Sequence, residues 1–113
     1  MSVSHVTTHV LDTARGLPAA DVAVELYALD GDTWTRIASG ATDADGRVKD
    51  LGPERLASGT YRLQFDTGAY FAGITTDTFF PEVSLTFAVE ESQAHYHVPL
   101  LLSPFAFSTY RGS

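Results

Sequence analysis

The sequence predicts an all-β fold, an antiparallel sandwich of seven or eight short strands. Polar and apolar residues alternate with a period of two in one segment after another, which is the pattern of a strand with one buried face. Turn signals rich in Gly, Pro and Asp separate these segments at the short spacing typical of sandwiches. The length of 113 residues suits one core, so we expect a single domain over 1–113.

The N-terminal half predicts three strands, over 3–12, 21–29 and 33–39. The first two segments alternate, and the first is rich in β-branched side chains. The third, with Trp34 and Ile37, is predicted as the returning strand of a hairpin. Asp30-Gly31-Asp32 is a strong hairpin signal between the second strand and the third, so these two strands should pair. The segment 40–50 carries another turn, and any strand within it is short and lies at an edge or a rim.

The C-terminal half predicts strands over 59–66 and 83–89, with one short helix between them. Residues 67–74 break the period of two and are the only segment for which the sequence favours a helix. Thr67 has the side chain of an N-cap residue, so we expect it to cap that helix.

The segment 95–113 predicts two further strands, joined by a bend at Ser103-Pro104. One face of the first of these strands is suited to a core and consists of Tyr96, Val98, Leu100 and Leu102. The opposite face consists of His95, His97, Pro99 and Leu101. A proline cannot donate to the hydrogen-bond ladder of a sheet, and composition rules tend to fail at functional sites. This second face is therefore the first place to look for a site.

Composition excludes several classes of function. The chain has no Cys, which excludes disulfides, thiolate metal sites and redox chemistry at sulfur. The formal net charge is −7 and no basic cluster follows any segment, so nucleic acid and anionic membranes are poor partners. No stretch approaches the length of a membrane span, and the start lacks the pattern of a signal peptide. We therefore expect a cytoplasmic protein.

The histidines fall on the first strand and on the strand over 95–102. They are His5, His9, His95 and His97. In a regular alternation each pair shares one strand face. Three interpretations stay open: imidazoles that are only hydrogen-bonded or solvated, a metal site, and acid–base catalysis. One metal ion cannot use both His5 and His9, because four residues of extended chain span roughly 13 Å.

Acid–base catalysis at a carbonyl also requires a donor for the developing negative charge. Arg47 follows the turn at Asp45-Gly46 and has a planar guanidinium suited to this task. The alternative for Arg47 is a solvated charge on a loop. The sequence does not favour a serine-hydrolase site at Ser108 or Ser113, because no Gly-x-Ser-x-Gly elbow is present.

Four motifs taken together resemble the transthyretin-related 5-hydroxyisourate hydrolases. They are the segment from Thr7 to Thr13, Asp45-Gly46-Arg47, the segment from His95 to Pro104, and Tyr110-Arg111-Gly112-Ser113. The similarity spans essentially the whole chain. The terminal tetrapeptide is the most specific motif, because it separates these hydrolases from the hormone-carrying transthyretins. Phe105-Ala106-Phe107 is a departure, since relatives commonly have Tyr-Gly-Tyr there.

The resemblance implies a transthyretin-like sandwich of two antiparallel sheets and about eight strands, with one short helix. It also implies a homotetramer with active sites at the interface between dimers, and neither a cofactor nor a metal. By position, the family's catalytic residues fall on His9, Arg47 and His97. The substrate-binding residues implied in the same way are His9, Arg47, Tyr110, Arg111 and Ser113. His5 and His95 do not match the catalytic positions.

The function that the resemblance implies is hydrolysis of 5-hydroxyisourate to 2-oxo-4-hydroxy-4-carboxy-5-ureidoimidazoline in urate breakdown. A histidine would activate water for attack on the ring amide, and Arg47 would stabilise the charge on its oxygen. The alternative is a non-catalytic carrier of small aromatic ligands in the channel between dimers. A metal-binding protein is the third option.

Overall fold

A computed structural model describes residues 3–112. The prediction of an all-β sandwich with one short helix is confirmed. In chain order the elements are β1 Val6–Asp12, β2 Leu17–Pro18, β3 Ala23–Asp30, β4 Thr33–Ala41, β5 Arg47–Val48, β6 Gly59–Phe65, α1 Thr67–Gly73, β7 Val83–Val89, β8 Tyr96–Ser103 and β9 Ala106–Thr109. The hairpin between β3 and β4 and the short rim strand β5 lie where the sequence predicted them, whereas β2 was not expected.

Two sheets form the sandwich. Sheet I has the strand order β2-β1-β8-β9, and β5 pairs with part of β1. Sheet II has the order β4-β3-β6-β7. Every pairing is antiparallel except that of β1 with β8, which is parallel. This pair departs from the predicted antiparallel pattern because the chain passes through all of sheet II between the two strands, and no tight turn imposes an antiparallel direction.

The core lies between the sheets and contains one face of β1, β3, β6, β7 and β8. Its most deeply buried strand residues include Val6, Val10, Val24, Leu26, Leu63, Phe65, Leu100 and Leu102. In β6 the burial alternates along the strand, as a period of two requires. Burial of apolar surface between the sheets is the main favourable term in folding, and it fixes which faces of β1 and β8 point outward.

The helix is capped by Asp66 rather than by Thr67. The Asp66 carboxylate accepts a hydrogen bond from the Ala69 amide at 3.1 Å. Thr67 is buried, and its hydroxyl donates instead to the carbonyl of Phe80 at 2.6 Å. The expectation that Thr67 is the cap was therefore wrong by one residue, because burial gave its hydroxyl another partner.

A hydrogen bond from the helix fixes the end of β1. The Tyr70 hydroxyl donates to the carboxylate of Asp12 at 2.7 Å. Burial, followed by this hydrogen bond, raises the pKa of Tyr70 above its ordinary value. The other carboxylate oxygen of Asp12 accepts hydrogen bonds from the amides of Ala14 and Arg15, which closes the turn after the strand.

No helix among residues 3–112 is long and apolar enough to cross a membrane.

Candidate active site

The register of three strands brings the candidate side chains together on the outer face of sheet I. In the parallel pairing of β1 with β8, Thr7 lies opposite His97 and His9 lies opposite Pro99. In the antiparallel pairing of β5 with β1, Arg47 lies opposite His9. A cavity of about 260 Å³ opens on this face. It is lined by Val3, Thr7, Thr8, Arg47, Lys49, His95 and His97.

His9 and His97 are neighbours on the paired strands β1 and β8. Their ring centroids are 6.5 Å apart and the ring planes are tilted by 37°. The Nε2 atom of His9 lies 2.9 Å from the carbonyl oxygen of Asp45. Because a carbonyl can only accept, Nε2 of His9 carries a proton, and the lone pair of the neutral ring lies on Nδ1.

His97 is joined to His95 through a threonine. The Thr7 hydroxyl lies 2.9 Å from Nδ1 of His97 and 2.9 Å from Nε2 of His95. These are the only hydrogen bonds that the rings of His95 and His97 make within residues 3–112. Nε2 of His97 therefore has no hydrogen-bond partner in this part of the chain.

The pKa of His97 is lowered from its ordinary value of 6.5. Burial is the largest cause, because desolvation disfavours the charged imidazolium. The positive charge of Arg47 and the neighbouring rings of His9 and His95 act in the same direction. The environment thus favours a neutral imidazole with a lone pair, which is the form that accepts a proton.

A tight turn before β5 places Arg47. The Asp43 carboxylate accepts the amides of Asp45 and Arg47, at 2.9 and 3.0 Å. The bond from the Arg47 amide is the main reason that the pKa of Asp43 is lowered. Gly46 has φ +78 and lies against β1, where a Cβ would collide with the carbonyl of Val10. Only glycine satisfies both conditions, so Gly46 lets the turn approach β1 and present Arg47 beside His9.

His5 does not belong to this site. It lies before β1 begins, is only 1% exposed, and packs against the ring of Tyr96. Its Nε2 donates to the carbonyl of Gln93 at 2.6 Å, and its Nδ1 accepts the amide of Leu56 at 2.8 Å. The expectation that His5 shares the strand face of His9 was wrong, because the alternation starts only at Val6.

The C-terminal motif divides between two places. Gly112 bridges to β8, where its amide donates to the carbonyl of His97 at 2.8 Å. A Cβ at Gly112 would lie 2.7 Å from Cδ2 of His97, so the backbone packs directly against the imidazole. Ser113 lies outside the described residues.

Tyr110 and Arg111 are not brought to the cavity by their own chain. Both line a groove of about 550 Å³ that also contacts β7. The guanidinium of Arg111 lies 4.8 Å from the ring centroid of Tyr96, on the core side of sheet I. Tyr110 is 59% exposed. The substrate-binding role of these two residues stays a prediction.

Sequence reasoning missed Thr7 and Lys49. Thr7 shares the strand parity of His9, and its position opposite His97 becomes visible only when the β1–β8 register is known. Lys49 follows β5 and adds a second cation to the cavity lining. No group of three or more His, Cys, Asp or Glu side chains that could hold a metal ion converges within residues 3–112.

The departure at Phe105-Ala106-Phe107 affects packing away from the cavity. Phe107 contacts Phe80 edge-on, with ring centroids 5.1 Å apart. Phe105 is 69% exposed. Neither ring lines the cavity that contains His97.

Comparison with known proteins identifies similar chains over almost the full length. The family model described as "HIUase/Transthyretin family" matches residues 6–112. A 5-hydroxyisourate hydrolase of Salmonella typhimurium is 48% identical over 108 residues, which cover 95% of this chain and 79% of that protein. A 5-hydroxyisourate hydrolase of Deinococcus radiodurans is 47% identical over 95% of this chain and 94% of its own.

Two solved structures have the same fold. The structure of Klebsiella pneumoniae 5-hydroxyisourate hydrolase is similar with a TM-score of 0.85 at 35% identity, over 97% of this chain and 100% of that chain. Sea bream transthyretin in complex with thyroxine is similar with a TM-score of 0.91 at 34% identity, over 96% of this chain and 94% of that chain. Both an enzyme and a ligand-bound transthyretin therefore share this architecture.

Proposed function

Because the chain belongs to the HIUase/Transthyretin family, we propose that it hydrolyses 5-hydroxyisourate in the cavity over β1, β5 and β8. Its relatives at 47 and 48% identity carry that activity in their names. The observation that carries the site assignment is the convergence of His9, Arg47 and His97 on one sheet face. These residues are far apart in sequence. Arg47 and His97 line the cavity, and His9 lies opposite Arg47 with its ring centroid 6.5 Å from that of His97.

His97 is the general base of the proposed reaction. Its Nε2 lone pair accepts a proton from water, and the water oxygen attacks the ring carbonyl carbon. The lowered pKa of His97 keeps this lone pair available at neutral pH. The carbon–nitrogen bond of the ring then breaks, and the protonated His97 gives its proton to the leaving nitrogen. The carbonyl carbon becomes a carboxylic acid, which releases the second proton of the water to solvent and becomes a carboxylate.

Arg47 and His9 complete the proposed site. The guanidinium of Arg47 stabilises the negative charge that develops on the carbonyl oxygen, in a cavity where Lys49 adds further positive charge for an anionic substrate. His9 is held by the Asp45 carbonyl, so its Nδ1 lone pair serves as an acceptor that orients the attacking water. No metal or cofactor enters this reaction.

The test is the decay of freshly generated 5-hydroxyisourate, followed by its ultraviolet absorbance. The protein should accelerate the decay in proportion to its concentration, and heat-unfolded protein should not. A decay rate equal to the spontaneous one would end the proposal.

A homotetramer with sites at the dimer interface is also part of the proposal. Leu11 and Leu101 are half-buried apolar residues that lie opposite each other on β1 and β8, on the face of His9 and His97, which suits a subunit interface next to a cavity. A second copy is also a means of bringing a terminal segment such as Tyr110 to the site. Light scattering should give about four times 12.2 kDa. A monomer with full activity would contradict this arrangement.

The cytoplasmic location and the single domain stay predictions.

A carrier of small aromatic ligands is the second candidate, supported by the likeness to a transthyretin in complex with thyroxine. Stoichiometric, tight binding of thyroxine without acceleration of 5-hydroxyisourate decay would favour the carrier. A carrier has no need of a neutral imidazole beside an arginine in the cavity.

A further inference from the structure

We infer that Thr7 and His95 act as a hydrogen-bonded relay that holds the His97 imidazole in the tautomer required of a base. The inference rests on the proposed function for its kinetic consequence. The geometry is independent of the reaction: one buried hydroxyl lies 2.9 Å from a ring nitrogen of each of two histidines.

The proton count of the hydroxyl couples the two rings. Thr7 has one proton and can therefore donate to only one of its two imidazole partners. The other ring must then donate its own N–H to the Thr7 oxygen. In the first arrangement, His97 carries its proton on Nδ1 and donates to Thr7, and the Thr7 hydroxyl donates to Nε2 of His95. In the second arrangement, His95 donates from Nε2 to Thr7, and the Thr7 hydroxyl donates to Nδ1 of His97.

Only the first direction leaves His97 able to act as a base in the cavity. With the proton on Nδ1 of His97, the lone pair lies on Nε2, which has no partner within residues 3–112. In the opposite direction Nε2 carries the proton and the lone pair is directed at Thr7. The hydrogen bond at one ring nitrogen thus decides the chemistry of the other. The direction that we propose is therefore the one in which His97 donates to Thr7 and Thr7 donates to Nε2 of His95.

Thr7 and His95 are positioning residues in this account. His97 takes the proton from water and later gives it to the leaving nitrogen, while Thr7 and His95 keep their own protons. The titratable and charged groups around His97 are Arg47 and Lys49 from β5 and the residues after it, His9 from β1, and His95 itself. Removal of the Thr7 hydroxyl leaves all of these in place, so a change in the pH profile can be assigned to the relay.

The kinetic test compares Thr7→Val, which removes the hydroxyl at nearly constant volume, with Thr7→Ser, which keeps it. Thr7→Val should lower kcat on the order of tenfold with little change in KM, since one hydrogen bond that biases a tautomer is lost. The acid limb of its pH profile should move, and Thr7→Ser should retain most of the activity. Thr13→Val is the matched control, because its hydroxyl bonds Leu102 at the far end of β1.

A double-mutant cycle separates a relay from two independent contacts. If the residues act in series, Thr7→Val combined with His95→Ala should be no slower than Thr7→Val alone. Additive losses would overturn the relay, and so would a Thr7→Val variant with the wild-type kcat and pH profile. A Thr7→Ser variant as slow as Thr7→Val would show that Thr7 contributes only packing.

The ring nitrogens provide a test that needs no turnover. In wild-type protein labelled with nitrogen-15, NMR should show the proton of neutral His97 on Nδ1, and Thr7→Val should shift His97 toward the other tautomer. A wild-type His97 protonated on Nε2 would overturn the inference. The result stands even if the protein does not hydrolyse 5-hydroxyisourate, so failure of the relay and failure of the proposed function are distinguishable.

Discussion

The pocket of His5 and the cavity beside His97 hold the same kind of side chain in opposite settings. Both ring nitrogens of His5 are bonded to backbone groups, and the residue is 1% exposed. Within residues 3–112 the His97 ring is hydrogen-bonded through Nδ1 alone, and its other nitrogen has no partner there beside the cavity. The first histidine connects three chain segments, whereas the second lines a cavity and bonds only Thr7 within the described residues. His5 and His97 are the same residue type and differ in how many of their ring nitrogens have hydrogen-bond partners within the described residues.

The largest expected effect is the loss of activity on removal of the groups beside the cavity. His9→Asn and Arg47→Gln should each lower kcat/KM about a hundredfold or more, the usual scale for a positioned acid–base or electrostatic group. Unfolding midpoints should change little, because neither side chain contributes to the core. Arg36→Gln is the matched control, since Arg36 pairs with Glu25 on sheet II. If Arg47→Gln kept the activity of Arg36→Gln, Arg47 would be only a loop charge.

His5→Ala should lower the stability of the protein and leave its activity largely unchanged. It leaves the buried amide of Leu56 and the carbonyl of Gln93 without their partner, which costs on the order of 3 kcal/mol in the free energy of unfolding. Urea unfolding followed by circular dichroism measures this loss. The folded fraction should retain most of its kcat/KM. An unchanged unfolding midpoint would show that the His5 pocket is not structural.

Gly112→Ala should lower activity by less than the replacements of His9 and Arg47, because it changes the surroundings of His97. The added methyl group lies 2.7 Å from Cδ2 of His97, so either the ring or the terminal segment must move. A displaced base should lower kcat/KM on the order of tenfold, with little loss of stability. Gly73→Ala is the control, because nothing lies within 4 Å of a Cβ at that position. Equal activities of the two variants would show that contact with Gly112 does not position His97.

The smallest effect concerns the titration of His97. Its pKa should lie below 6.5 in the wild type, so the neutral base persists as the pH falls through the ordinary range of histidine. Arg47→Gln removes one of the charges that lower this pKa, and the value should rise toward 6.5. NMR titration of the His97 ring protons measures both values. A pKa that is the same in the two proteins would show that Arg47 does not act on His97 electrostatically.

The fold could be predicted from the sequence because its signals are local. Alternation gave the bounds of β6 and β7 to within a residue, and Asp30-Gly31-Asp32 gave the hairpin. The parallel pairing of β1 with β8 could not be predicted, since strand direction depends on a path through all of sheet II. The two-residue strand β2 is too short to produce a recognisable alternation.

The candidate site, like the fold, could be predicted from the sequence only in part. His9, Arg47 and His97 could be named from motifs, but the role of Thr7 depends on the register between two distant strands. His5 was misplaced because a period-two pattern does not reveal where a strand begins. The positions of Tyr110 and Arg111 depend on the path of the chain after β9, for which the sequence has no periodic signal.

The central claim is that the outer face of β1 and β8 is a catalytic centre with His97 as its base. The most direct measurement is kcat/KM for 5-hydroxyisourate of His97→Asn, at an unchanged circular dichroism spectrum and solution mass. Asn can keep a hydrogen bond to Thr7 but has no basic ring nitrogen. The account predicts a loss of about a hundredfold or more. A His97→Asn variant with the kcat/KM of the wild type would contradict it.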